Sequence, residues 1–371
     1  MKEKRNTGID ITRIVAFFCV PSIHFFLNSG FYERAVDCNR MYGMLFLRPL
    51  FMTCVPLFLM ITGYLMSDRE IRIDRQGLLS FYSKLSKVII LYMISQLIVL
   101  SMLAIHYGQK LTLKKALLDL LAFESGYAWY VEMYIGLFLM IPFLNIIWQK
   151  CDDKGKRKNA VIVLILLTTV PSITNIFDFS SLDSIVHPWT SETYNALLPD
   201  WWENIFPITY YFIGAYIKKD IDFKTMKSSK LLAALLLAAV TFSLFNIWRN
   251  YSVPFVWGKW QSSWGSFENV IDATLVFLLI NSFNYEKVPE KISKGLGKIG
   301  SVTFSAYLLS KIPDVILYEK LNAAVPEVTM RISYFPLIVP SVIIIALIMA
   351  AIVQLIYTLS MKVYRKKFCN N

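Results

Sequence analysis

The sequence predicts an all-α fold: a polytopic transmembrane helix bundle of about ten spans, with the N-terminus and the C-terminus both on the cytoplasmic side. Three observations carry that prediction. Of the 371 residues, 56% are hydrophobic and only 17% charged, whereas a soluble domain carries about a quarter charged residues. Apolar windows of about twenty residues recur along the chain, each long enough to cross a bilayer. Lys and Arg concentrate in alternate connecting segments. A soluble protein with as many buried helices would need far more polar surface to cover them.

The spans fall at 11–27, 45–66, 88–106, 129–148, 160–177, 205–217, 231–248, 267–283, 302–318 and 334–359. The first follows a basic start, Met1 to Arg5, and no small-residue cleavage site stands behind it, so it does not read as a cleaved signal. The sixth is short unless Trp201 and Trp202 extend it at the outer interface, where such rings prefer to sit. Lys311, Pro313 and Asp314 interrupt the ninth. With the N-terminus inside, 27 of the 38 Lys and Arg lie in the six inner segments and nine in outer ones; Arg48 and Lys311 fall within spans. An odd number of spans would break this alternation at one end, so the parity is even.

The outer stretch 178–203 is acidic (Asp178, Asp183, Glu192, Asp200, Glu203) and holds no Lys or Arg. It reads as a solvated connector. Residues 111–123 read as a short amphipathic segment in the interface. No repeat, low-complexity linker or second soluble domain is visible, so residues 1–371 form a single membrane-embedded domain. The net charge of +12 comes without an Arg-rich helix or an RNA-binding aromatic motif. The expected partner is therefore the lipid bilayer and not nucleic acid. Cys19, Cys38, Cys54, Cys151 and Cys369 have neither CxxC spacing nor a pairing pattern. Neither a zinc site nor a disulfide framework is expected, and no metal.

Ionisable residues inside a span are expensive and point to function. The first helix carries Asp10, Arg13 and His24. An advance of eleven positions at 100° each overshoots three turns by about 20°, so Arg13 and His24 share one helix face about 16 Å apart. Arg13 sits at the cytoplasmic edge and His24 nearer the outer side. Asp10, one turn earlier, is placed to pair with Arg13. Pro21 frees the carbonyl of Phe17 and bends the helix below His24. Taken alone, the pattern fits a charged anchor with an interhelical hydrogen bond as well as it fits a functional pair.

The run GIDITRIVAFFCVPSIHFF resembles the first helix of the acyltransferase family 3 membrane proteins, whose hallmark is Arg-X10-His preceded by an aspartate. VPLFLMITGYLM (55–66) resembles the family's second helix and AWYVEMYIGLFLMIPFLN (128–145) its fourth. YFIGAYIKK (211–219) and SVTFSAYLL (301–309) are similar to later helices, so the resemblance covers nearly the whole chain. It implies transfer of an acyl group, usually acetyl, from cytoplasmic acetyl-CoA or another acyl-CoA to a hydroxyl of an extracytoplasmic surface glycan or its lipid-linked sugar precursor. It implies a multi-pass protein of the bacterial plasma membrane. By motif match Arg13 and His24, with Asp10, are the catalytic set.

The geometry of the first helix suits that chemistry. CoA phosphates call for cations at the inner face, where Arg13, Lys84 and Lys87 stand. An imidazole at His24 can remove the acceptor hydroxyl's proton or carry the acyl group transiently. On the outer side Arg48, Glu132, Glu268, Asp272 and Lys311 with Asp314 are candidates for lining an acceptor cavity, although Lys311 and Asp314 could simply neutralise each other. Trp129, Tyr130, Trp201, Trp202, Trp257, Trp260 and Trp264 gather at outer ends, where an interfacial belt is expected ahead of sugar stacking. Two features depart from the family pattern. Ser310 stands where members often carry a histidine, and Lys84 and Lys87 stand where arginines are common, which keeps charge but loses bidentate phosphate recognition.

A transporter is the alternative, since buried charges and broken helices are expected there too. Serine-uptake membrane domains joined to serine racemases resemble this family, but the chain shows no racemase domain and no inverted repeat. A structural subunit would leave Arg13 and His24 without a role.

Overall fold

The computed structural model describes residues 6–368 apart from 111, 113, 115, 117–126, 192–193 and 256–262. Most of the predicted amphipathic segment, Glu192, Trp257, Trp260, Cys369 and the first five residues lie outside the described set. The described chain is all-α. Its principal helices are α1 (Thr7–Asn28), α2 (Asn39–Phe51), α3 (Cys54–Met66), α4 (Arg75–Tyr82), α5 (Leu85–His106), α6 (Trp129–Lys150) and α7 (Lys154–Thr174). They continue with α8 (Phe206–Asp220), α9 (Ser228–Arg249), α10 (Phe267–Asn281), α11 (Glu290–Leu309), α12 (Lys311–Ala324) and α13 (Phe335–Phe368). Extended pairing among the described residues is limited to isolated bridges between residues 35–36 and 251–254.

Seven helical stretches among the described residues are long and apolar enough to cross a membrane: α1, α2 with α3, α4 with α5, α6, α7, α9 and Val328–Met361. The three other predicted spans are helical as well. At 15 residues each, α8 and α10 rise about 22 Å, less than the hydrocarbon thickness. The short turn Trp201–Ile205 runs directly into α8 and lengthens it, with both tryptophan rings exposed as the sequence predicts. The ninth span does not run 302–318. It divides at Ser310, with α11 before it and α12 after it. The second span likewise starts early, at Asn39, and breaks at Met52 and Thr53. Pro56 has no N–H to return to Met52, and it sits in the first turn of α3, where proline is tolerated.

Contacts sort the connecting segments onto two ends. At one end Thr7 Oγ1 meets Ser293 Oγ at 2.8 Å and Ser228 Oγ meets Ser282 Oγ at 2.9 Å. Arg157 grips both oxygens of Asp220 at 2.6 and 2.7 Å, and the Lys87 ammonium lies 6.0 Å from the Tyr357 ring near the end of α13. At the other end Asn322 donates to Asn28 O, Val36 to Val253 O and Arg249 to Pro188 O. The start of α1 and the end of α13 thus share an end, as an even number of crossings requires.

Two helices approach more closely than side chains permit. A Cβ on Gly63 of α3 would stand 1.9 Å from Tyr211 O, and one on Gly214 of α8 would stand 2.0 Å from Met60 O. The paired glycines bring the two backbones into direct contact, a common device where helices associate in lipid. This crossing carries one wall of the cavity described next.

Candidate active site

A cavity of about 580 Å³ lies between α1, α3, α5, α6 and α11. Arg13 and Arg69 line it toward the basic end, and His24, Trp129 and Trp264 line it toward the opposite end. Its wall between them is largely apolar, with Val20, Ile23, Phe58, Ile61 and Phe304. The shared face predicted for Arg13 and His24 is the face that looks into this space. α1 passes through Pro21 without interruption.

At the inner mouth, Arg13 Nη1 lies 3.0 Å from Asp10 Oδ1, the pairing the sequence predicts. Asp10 is almost fully buried while Arg13 keeps part of its side chain open. The contact therefore orients the guanidinium without consuming its other donors. Tyr134 of α6 lines the same cavity as Arg13 and Arg69.

Around His24 the structure assembles a polar cluster from three distant segments. Nδ1 lies 2.9 Å from Asp314 Oδ2. The Tyr127 hydroxyl donates to the same Asp314 oxygen at 2.8 Å and lies 3.0 Å from His24 Nδ1 and 2.7 Å from Ser310 Oγ. Tyr307 donates to the Tyr127 carbonyl and its ring stacks on the Tyr127 ring. Asp314 stands one turn after Ser310, its N–H bonded to Ser310 O, so both side chains reach Tyr127 just ahead of α6. In the tautomer with its hydrogen on Nδ1, toward the carboxyl oxygen, the ring presents Nε2 as its acceptor nitrogen.

Tyr127 is not among the candidates the sequence offers, Asp314 is offered there only beside Lys311 for an acceptor cavity, and Ser310 only as a departure. The signal in the sequence is an aspartate interrupting an apolar span, which fits a cavity-lining role and neutralisation of Lys311 equally well. Asp314 turns instead to His24 and Tyr127, while the Lys311 ammonium lies 5.8 Å from the Tyr127 ring. Arg69, one of five cations in its segment, was also passed over.

The other predicted residues are placed elsewhere. Lys84 and Lys87 stand at the basic end, but neither lines the cavity; the Lys84 ammonium lies 5.3 Å from the Phe81 ring. Their neighbour Val88 occupies the inward position on that helix. Glu132 is exposed on the first turn of α6 and does not line the cavity. Arg48, Glu268 and Asp272 are buried in a separate cluster. Arg48 donates to Tyr32 and packs 4.3 Å from the Phe255 ring, and Glu268 accepts from Asn246. His106 and His187 pair with the exposed carboxylates Glu319 and Asp183. Trp129 and Trp264 depart from a simple belt: their rings stack at 5.6 Å and line the cavity. Among the described residues, no three or more His, Cys, Asp or Glu side chains gather as a metal site.

A half-buried imidazole held by a carboxylate and reached from a cationic mouth through an apolar passage is suited to moving a proton at a reacting carbonyl. No curated protein and no solved structure matches the chain. A family model described as an acyltransferase domain matches residues 6–351, nearly the whole length, and the chain belongs to that acyltransferase-3 family.

Proposed function

We propose that this membrane acyltransferase moves an acetyl or other acyl group from cytoplasmic acyl-CoA to a hydroxyl of an extracytoplasmic surface glycan or its lipid-linked precursor. One observation carries the reading: a single cavity joins Arg13 and Arg69 at the basic end to His24 at the other. The excess of Lys and Arg makes the basic end cytoplasmic. There Arg13 and Arg69 take the donor's phosphates, and their planar guanidiniums suit bidentate contacts. The span of about 16 Å from Arg13 to His24 suits an extended pantetheine arm, which sets the thioester beside the imidazole.

His24 Nε2 then accepts the proton of the acceptor hydroxyl as that oxygen attacks the thioester carbonyl. The new C–O bond forms as the C–S bond breaks, and the proton passes from His24 to the leaving thiolate. Asp314 and Tyr127 hold the ring and its tautomer, and Asp314 stabilises the imidazolium between the two proton transfers. The apolar wall keeps water from the thioester. At the outer mouth the stacked Trp129 and Trp264 offer a flat surface for a pyranose ring. Arg48, Glu268 and Asp272 act in this reading as a packing network and not as acceptor contacts.

The test is incubation of the purified protein with labelled acetyl-CoA and a glycan acceptor. Label in the glycan, dependent on His24, is the expected result. A transporter would neither bind nor hydrolyse acetyl-CoA.

A further inference from the structure

We propose that Asn145 of α6 is a positioning residue for the donor: it fixes the turn that carries Arg69 to the inner mouth. The proposal rests on the reading of Arg69 as a phosphate contact. Asn145 is 1% exposed on a helix whose central part is apolar, so its amide is costly there unless every polar atom is used. Both polar atoms of the amide are used. Nδ2 donates to Met66 O at 2.8 Å and to Arg69 O at 2.9 Å, and Oδ1 accepts from the Tyr211 hydroxyl at 2.5 Å.

The two carbonyls belong to the end of α3 and the turn after it, groups a helix cannot satisfy itself. They are closed from a different helix, by the two N–H groups of one amide. The Arg69 N–H also returns to Met66 O at 3.1 Å, so residues 66–69 form one turn pinned at both carbonyls. Met66 and Arg69 both line the cavity. Tyr211 reaches Asn145 because the Gly63 and Gly214 contact draws α8 against α3. The two carbonyls can only accept, so they fix which way the amide faces, and the Tyr211 hydroxyl then donates to the amide oxygen.

A simple interhelical tether would use the same residues, and the two roles differ in what their loss changes. Asn145→Leu removes both donors at similar size. Tyr211→Phe removes one hydroxyl and keeps the ring. If Asn145 positions Arg69, each variant raises the acyl-CoA KM, Asn145→Leu by about tenfold, close to the effect of Arg69→Ala. The salt dependence of that KM should flatten with it, because a cation has left the phosphates. Adding Arg69→Ala to Asn145→Leu should then cost little more. Tyr211→Phe, the milder change, reports on the same turn if Asn145→Leu does not insert.

Lower thermal stability with unchanged KM and salt dependence in these variants, or fully additive losses with Arg69→Ala, would overturn the proposal. Arg69→Ala with parental donor affinity would remove it together with the donor reading. A defective Arg69→Ala beside an intact Asn145→Leu would remove this inference alone.

Discussion

Oδ2 of Asp314 lies 2.9 Å from Nδ1 of His24, joining residues 290 positions apart in the chain. A carboxylate on Nδ1 sets the tautomer that frees Nε2, so its removal should impair chemistry and leave donor affinity intact. Asp314→Asn is expected to lower kcat roughly a hundredfold or more, because an amide can present its N–H to Nδ1 and reverse the tautomer. Steady-state kinetics at saturating acyl-CoA reads this directly. An unchanged kcat would show that Asp314 only packs.

Tyr127 shares Asp314 with His24 and holds no apparent proton-transfer role of its own. Tyr127→Phe should therefore cost less than Asp314→Asn, about tenfold in kcat, from one lost hydrogen bond to a charged group. A loss equal to that of His24→Ala would instead place Tyr127 in the chemistry.

At the other mouth, the cations that line the cavity should outrank those that do not. Arg13→Ala and Arg69→Ala should each raise the acyl-CoA KM about tenfold or more, whereas Lys84→Ala and Lys87→Ala should change it less than about threefold. Equilibrium binding of CoA to the purified variants gives the same ranking without turnover. Equal effects from all four would return the donor site to the open basic surface.

The contrast between these residues shows what the sequence could carry. Arg13 and His24 were legible because one helix holds both, and helical periodicity alone puts them on one face. For Lys84 and Lys87 the same kind of argument is weaker: nearness to the inner edge says nothing about which face turns inward, and on their helix Val88 lines the cavity. Arg48, Glu268 and Asp272 were flagged correctly as costly buried groups. Cost alone does not separate a substrate contact from a packing group, and that all three lie outside the cavity lining follows from tertiary packing. The union of Tyr127, Ser310 and Asp314 with His24 joins segments 103 and 183 residues apart, and no local pattern shows such a contact.

The acceptor side makes a separable prediction. Trp129 stacks with Trp264, which is anchored through its carbonyl by the Tyr210 hydroxyl at 2.8 Å. Trp129→Ala should raise the KM for a sugar acceptor by about tenfold while leaving the acyl-CoA KM within about twofold, since base- or ring-stacking losses run to 1–3 kcal/mol. A matched rise for both substrates would mark Trp129 as a packing residue.

The last prediction concerns His24 against the other two histidines. His24 faces the cavity and is held by a carboxylate that is 3% exposed, whereas His106 and His187 pair with carboxylates 47% and 77% exposed at the protein surface. A surface pair of that kind contributes little and performs no chemistry at a thioester. His24→Ala should cut acyl transfer by about a hundred- to ten-thousand-fold, with the protein still inserted and monodisperse, because a small residue is tolerated among membrane helices. His106→Ala and His187→Ala should stay within about threefold of the parent. Acylation of the surface glycan, measured in strains matched for expression, compares all three. If the His24→Ala strain retained that modification, proton transfer would have to come from another group, and the cavity from Arg13 to His24 would lose its claim to be the path of the acyl group.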